Sequence, residues 1–262
     1  MTCNFSLKHY QEILEEGLSQ GYRFIGYEDL KNTSPDSKVC ILRHDVDYMP
    51  EWAIHFGTIE STLNIQSTFF FQIGAKTYNL RETTNHQIVQ DLKKMGHTLG
   101  IHYDPDWNQN ITWDELPAQI NNERNVFKSM TGISPCEIIS FHNPHRFIEK
   151  ILSQSIPGIR HTYENSFFSS IRYLSDSQGW YEGCMCQIFK SKKYSKIQLL
   201  LHPDYWPEQS GDFIENIANL ITFRKNELLE YLLKYHPVCK KNETRLRDLM
   251  VEISQKKSRG LI

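Results

Sequence analysis

The stretch Val39-Cys40-Ile41-Leu42-Arg43-His44-Asp45-Val46-Asp47 decides how the chain is read. Its first half is apolar and rich in β-formers. Its second half carries a guanidinium, an imidazole and two carboxylates. A buried strand that stops at such groups is what a site at a strand's carboxyl end looks like in sequence. Three more stretches repeat the form: Gly100-Ile101-His102-Tyr103-Asp104, Ser140-Phe141-His142-Asn143-Pro144 and Leu200-Leu201-His202-Pro203. Four such endings point to a site built along one rim of a sheet or barrel.

The intervening segments have helical periodicity. Leu7 to Gln20 repeats apolar residues at helical spacing, with Ser6 as N-cap and Gly21 after the last turn. Met49-Pro50 to Leu63 reads as a helix with proline in its first turn. Thr84 to Met95, Trp113 to Met130 (interrupted near Pro117), Arg146 to Ser153 and Ile214 to Tyr235 read as further helices. Strands are expected at Lys38–Leu42, Ser67–Ile73, Thr98–His102, Glu137–Phe141 and Lys196–Leu201. Shorter strand-like pieces fall at Ile159–Tyr163, Ser169–Leu174 and Met185–Phe189. This alternation predicts an α/β fold with a mostly parallel sheet. With four to five clear units and an irregular stretch, a distorted, incomplete (β/α) barrel fits better than an eightfold one; a flavodoxin-like open sheet is the alternative. The expected organisation is one catalytic domain over 1–262, with the N-terminal helix (about 7–20) and a C-terminal long helix and tail (about 210–262) packed on it.

Bulk properties narrow the function. The net charge is −2, from 29 basic and 31 acidic residues, which argues against nucleic acid as a partner. The short basic runs Lys190–Lys193 and Lys256–Arg259 read as solvated surface. No segment approaches the roughly 18 apolar residues of a membrane span. The amino terminus lacks the pattern of a secretory signal, so a cytoplasmic protein with reduced cysteines is expected. Cys184-Met185-Cys186 reads as an alternating strand with small buried residues, or as a pair for a soft metal.

Asp45 and Asp47 are two residues apart, so on a strand they face the same way. Two carboxylates this close do not both ionise comfortably without a cation beside them. Imidazole is a frequent ligand for zinc-like ions, and His102, His142 and His202 occupy equivalent places on their strands. A solvated loop explains an isolated Asp-x-Asp, and a core role explains an isolated histidine. Their shared position favours a metal centre, with a carboxylate as base and an imidazole as acid.

These residues resemble the polysaccharide deacetylase (NodB-homology) superfamily, carbohydrate esterase family four, in order from about Val39 to Trp206. Gly96-His97-Thr98-Leu99-Gly100-Ile101-His102 reproduces the family's Gly-His-x-x-Gly-x-His context, and Leu200-Leu201-His202 its Leu-x-His. The resemblance implies Asp45 as catalytic base, Asp47 and His102 as metal ligands and His202 as general acid oriented by Asp176. It implies one divalent ion, Zn2+ first, and an N-acetylated sugar as substrate. Without an export signal, a nucleotide- or lipid-linked intermediate of surface-polysaccharide synthesis is the expected form.

The chain departs from the family at two motifs. The family's second histidine falls at Asp106, and its Arg-x-Pro-Tyr appears as His142-Asn143-Pro144-His145. His142 is therefore the first choice for the third ligand, ahead of Asp104 and Asp106. Arg43 is expected to stand in for the missing arginine near base and substrate, and Trp180, Tyr205 and Trp206 as walls for a sugar ring, with core packing as the competing explanation. An inactive carbohydrate-binding or scaffold protein on the same fold is the alternative function. Phosphohydrolase chemistry at a His44-Asp45 dyad is a third reading, disfavoured because such dyads sit on helices.

Overall fold

In the computed structural model, which describes residues 4–177, 179–208 and 211–258, strands and helices alternate as the periodicities require. The first half runs α1 (Leu7–Ser19), β1 (Arg23–Ile25), β2 (Val39–Val46), α2 (Pro50–Thr62), β3 (Thr68–Phe71), α3 (Thr83–Lys94), β4 (Thr98–Tyr103) and α4 (Leu116–Thr131). The second half continues β5 (Ile138–Phe141), α5 (Ile148–Ser153), β6 (Arg160–His161), α6 (Asn165–Phe168), β7 (Arg172–Ser175), α7 (Met185–Ser191) and β8 (Lys196–Leu201). It ends in α8 (Phe213–Tyr235), α9 (Pro237–Lys241) and α10 (Glu243–Ser258). The chain divides into two compact units, Met1–Asn216 and Ile217–Ile262. Within the second, Arg247 on α10 pairs with Glu230 on α8 at 2.9 Å. No helix among the described residues is long and apolar enough to cross a membrane.

All strands of the first unit pair in parallel, in the order β6-β5-β4-β3-β2-β8-β7, with β1 also on β2. From β2 to β6 the order advances without reversal, and β8 returns to pair with β2. A doubly wound sheet instead reverses direction at a switch point, so the flavodoxin-like alternative is set aside. This is an incomplete (β/α) barrel, open between β6 and β7. The opening is bridged by rings: Tyr163 lies 5.2 Å from Phe168, which lies 4.8 Å from Tyr173.

The curvature is visible in one hydrogen bond. In a flat sheet, β5 and β2 would lie about 14 Å apart, three strand spacings. Here Ser140 on β5 donates its hydroxyl to Asp45 on β2 at 2.8 Å. All eight residues of β2 are buried, because helices cover one face and the barrel interior the other. Ile41, Phe70 and Ile138 fill that interior beneath the rim, together with Tyr27, Phe167 and Ile171.

Two expectations are corrected. Met185–Phe189 is not a strand; residues 185–191 form α7. Pro117 does not interrupt a helix but lies in the first turn of α4, where its missing N–H costs nothing. The strand expected to end at Leu42 continues to Val46, carrying the charged residues inside the sheet. Of the run Lys256–Arg259, Arg259 lies outside the described residues.

Candidate metal centre and catalytic cleft

The Gly96–His102 motif shows how local sequence builds the rim. Gly96 takes φ +94° at the end of α3, a left-handed turn that L side chains rarely adopt. His97 turns away from the cleft. Its Nε2 donates to the Gly57 carbonyl at 3.0 Å, leaving Nδ1 to accept from the Ser67 amide at 3.3 Å. Gly100 makes room for β3, since a Cβ there would meet the Phe70 ring at 2.5 Å. Two residues further on, the strand delivers His102 to the cleft. The two histidines of one motif thus do different work.

At the rim, three ligand atoms converge. Asp47 Oδ1 lies 3.0 Å from His102 Nε2 and 3.1 Å from His142 Nδ1, and the two imidazole nitrogens are 3.1 Å apart. Asp47, His102 and His142 form a group able to hold a metal ion. Bonds of about 2.0 Å to a tetrahedral ion require ligand–ligand edges near 3.3 Å, so this triangle is already nearly the right size. Burial pushes the Asp47 carboxyl up, but hydrogen bonds from both imidazoles outweigh it and hold the group well below the usual carboxylate range. Burial likewise works against charge on His142, and Asp47 overcomes it and raises that imidazole. Asp104 and Asp106 are used differently: Asp104 Oδ1 accepts from the Asp106 amide at 2.8 Å, closing a turn around Pro105. Neither belongs to the ligand group.

Asp45 sits beside this triangle, buried. Its Oδ2 accepts from Ser140 and from Arg43 Nη2 at 3.2 Å, and His102 Nδ1 lies 3.7 Å away. Among the described residues, its Oδ1 has no hydrogen-bond partner. Across the cleft, His202 Nε2 is 3.9 Å from Asp47 Oδ2, while its Nδ1 lies 2.6 Å from Asp176 Oδ1. Asp176 is itself fixed by the His202 amide and the Trp206 indole N–H, at 2.9 and 2.8 Å. Burial alone would lower the His202 imidazole; the Asp176 carboxylate reverses this and raises it to about 9. A cavity of about 250 Å³ joins Asp45, Asp47, His102, His142 and His202.

Three residues expected to touch substrate lie outside the cavity lining. Arg43 is 0% exposed, lies beneath Asp45 and packs against Tyr163 and Tyr173 at 5.7 and 5.9 Å. It meets the cleft lining from beneath, through the Asp45 carboxylate and the two tyrosine rings. Trp206 is also 0% exposed, packed among Phe5, Tyr10 and Phe56, with its indole N–H on Asp176. Trp180 stacks on Phe5 at 5.9 Å and is not part of the cleft lining. Tyr205 leans on the His202 ring at 5.0 Å. The His44-Asp45 dyad is excluded by alternation: His44 faces the helices, 2.8 Å from Glu60 on α2, and Asp45 faces the cleft.

Sequence reasoning missed several supporting groups. Gln72, just past β3, donates to Asp47 Oδ1 at 3.3 Å. Asp204 accepts from the backbone amides of Asp47, Tyr48 and Met49, at 3.0, 3.3 and 2.6 Å, fixing the turn that carries Asp47. Ser140 had a usable signal, since it shares strand parity with His142. Tyr163 and Tyr173, which line the cleft, had none.

The fold and site together define an incomplete (β/α) barrel with a candidate Asp-His-His metal centre at its rim. No family model matches the chain, and none of the curated proteins does. Solved structures do match. A family 4 carbohydrate esterase from Bacillus anthracis is 15% identical over 83% of this chain and 86% of its own, with TM-score 0.41. The chitin deacetylase from Colletotrichum lindemuthianum is 13% identical over 78% and 87%, with TM-score 0.43. A CE4 family pseudoenzyme from Bacillus anthracis is 14% identical over 74% and 63%, with TM-score 0.42.

Proposed function

We propose that this chain is a metal-dependent amide hydrolase that removes the acetyl group from an N-acetylated sugar. The supporting observation is the convergence at one cavity of a three-atom ligand triangle, the Asp45 carboxylate and the His202 imidazole held by Asp176. Asp47, His102 and His142 would hold one divalent ion, Zn2+ by its preference for nitrogen and carboxylate donors. When bound, such an ion lowers the pKa of a water and polarises an acyl oxygen.

The chain's own residues supply the rest. Asp45 Oδ1 takes the proton from the attacking water, while Arg43 and Ser140 hold its other oxygen. His202 gives its proton to the departing amine nitrogen, and Asp176 keeps the imidazole charged and oriented. Leu200, Tyr163 and Tyr173 form an apolar wall of the cavity, suited to the methyl of an acetyl group. The proposed substrate is a nucleotide- or lipid-linked sugar, handled in the cytoplasm.

Acetate release from a nucleotide-linked N-acetylhexosamine and from its lipid-linked counterpart, with metal content measured on the same preparation, tests the proposal. The expected result is about one bound ion per chain at this centre and release that Asp47→Asn abolishes together with the ion. Absence of both metal and release from folded protein would overturn it in favour of an inactive carbohydrate-binding or scaffold protein.

A further inference from the structure

A second set of ligating side chains meets on the outside of the barrel, where α1 approaches the start of α7. His9 Nε2 lies 3.0 Å from Cys184 Sγ, although the residues are 175 positions apart. The Cys184 and Cys186 sulfurs are 3.3 Å apart, well beyond the roughly 2.05 Å of a disulfide. All three ligand atoms lie within 4.8 Å of one another. His9 and Cys184 are buried and Cys186 is half-buried.

Two further features point to a ligand. His9 Nδ1 lies 3.0 Å from Glu12 Oε2. A carboxylate on one ring nitrogen fixes the proton there and leaves the other nitrogen's lone pair for a metal, the usual partnership of a metal-binding histidine. Beside it, Glu12, Glu15 and Glu16 line a surface hollow of about 600 Å³ that His9 and Cys186 also border. Its acidic wall favours approach of a cation.

We propose that His9, Cys184 and Cys186 form a second metal site, separate from the cleft, that takes Zn2+ and clamps α1 to the segment leading into β8. Two thiolates and one imidazole match zinc's preference for sulfur and nitrogen and leave a fourth position for water. Tetrahedral bonds of about 2.0 Å to nitrogen and 2.3 Å to sulfur give edges near 3.6–3.8 Å, so small side-chain rotations suffice. On binding, each thiol gives its proton to solvent, two Zn–S bonds and one Zn–N bond form, and nothing is oxidised. The mechanical consequence follows from connectivity, because α7 leads into β8, and His202 follows the last residue of that strand.

The test uses full-length Asp47→Asn protein, which lacks the carboxylate of the cleft site, reduced and then titrated with Co2+. The expected signature is a thiolate-to-cobalt charge-transfer absorption in the near ultraviolet that saturates at one equivalent. Adding Cys186→Ser removes at least half of its intensity, and Glu12→Gln, an exposed change that spares the fold, weakens cobalt affinity by about 10- to 100-fold. Should Cys186→Ser unfold the chain, Glu12→Gln and His9→Gln carry the same test. Folded Asp47→Asn protein without the absorption would overturn the proposal. So would a Cys184–Cys186 disulfide found by mass spectrometry in protein isolated under reducing conditions.

Discussion

His44 and Asp45 are consecutive on β2 and belong to two different clusters of buried charge. On the helix side, His44 Nε2 lies 2.8 Å from Glu60 Oε1, and the Tyr10 hydroxyl donates to the same oxygen at 2.5 Å. Rings of Phe56 and Phe69 pack around His44, at 5.1 and 4.6 Å. Burial pushes the Glu60 carboxyl up, and the neighbouring His44 imidazole more than offsets this. On the other side, Asp45 pairs with the Arg43 guanidinium, and its Oδ1, like Glu60 Oε2, has no hydrogen-bond partner among the described residues; Asp45, however, borders the cleft cavity. Each cluster sets a buried carboxylate against a nitrogen-bearing side chain and a hydroxyl donor. A buried, hydrogen-bonded carboxylate is therefore not by itself a sign of chemistry; one that borders a cavity beside a ligand group is the better sign.

The sharpest way to break this distinction is to neutralise one carboxylate on each side. Asp45→Asn should lower kcat by about 100- to 10,000-fold while the protein still binds metal, as steady-state kinetics and elemental analysis would show. Glu60→Ala should do the reverse, costing about 3–5 kcal/mol of stability in urea unfolding because His44 loses the partner of a buried pair. The fraction that remains folded should keep its turnover. If Glu60→Ala cut turnover of folded protein as deeply as Asp45→Asn, the helix-side cluster would belong to the reaction.

A gentler probe is Asp176→Asn. Asp176 raises His202 to about 9 against the burial that lowers it, so the variant's imidazole should titrate at lower pH, read by NMR of metal-free protein. Activity that needs protonated His202 then fails at lower pH than in the wild type. For stability the sign is that of a raised histidine: its contribution is full below the unfolded value of about 6.5 and is lost as pH rises through about 9. Wild-type stability should decline across that window, and the variant's should not. The smallest effect is expected from Trp180→Leu. Because that ring stacks on Phe5 away from the cleft, KM should stay at the wild-type value, and a clear rise would return Trp180 to the substrate wall.

Much of the fold was legible because periodicity is local. β8 was read to the residue from Lys196–Leu201, and α1 and α2 to within a residue or two, since caps and prolines mark their ends. Cys184-Met185-Cys186 misled because a short apolar run fits strand and helix equally. Arg43 and Trp206 lie deeper than their sequence positions indicated. Sequence shows that a side chain can reach a substrate, but not that neighbouring strands will close over it.

The sequence alone determined the alternation of strands and helices, the parity that sets Asp45 and Asp47 on one face, and the strand-end positions of His102, His142 and His202. Those follow from bond geometry and solvation along a few residues. Only the tertiary structure decided that β5 curls back to bring Ser140 onto Asp45, that His142 completes the triangle while Asp104 and Asp106 close a turn, and that His9 crosses to Cys184 and Cys186. Such meetings depend on how separated segments pack to bury their apolar faces, a property of the whole chain that no local window contains.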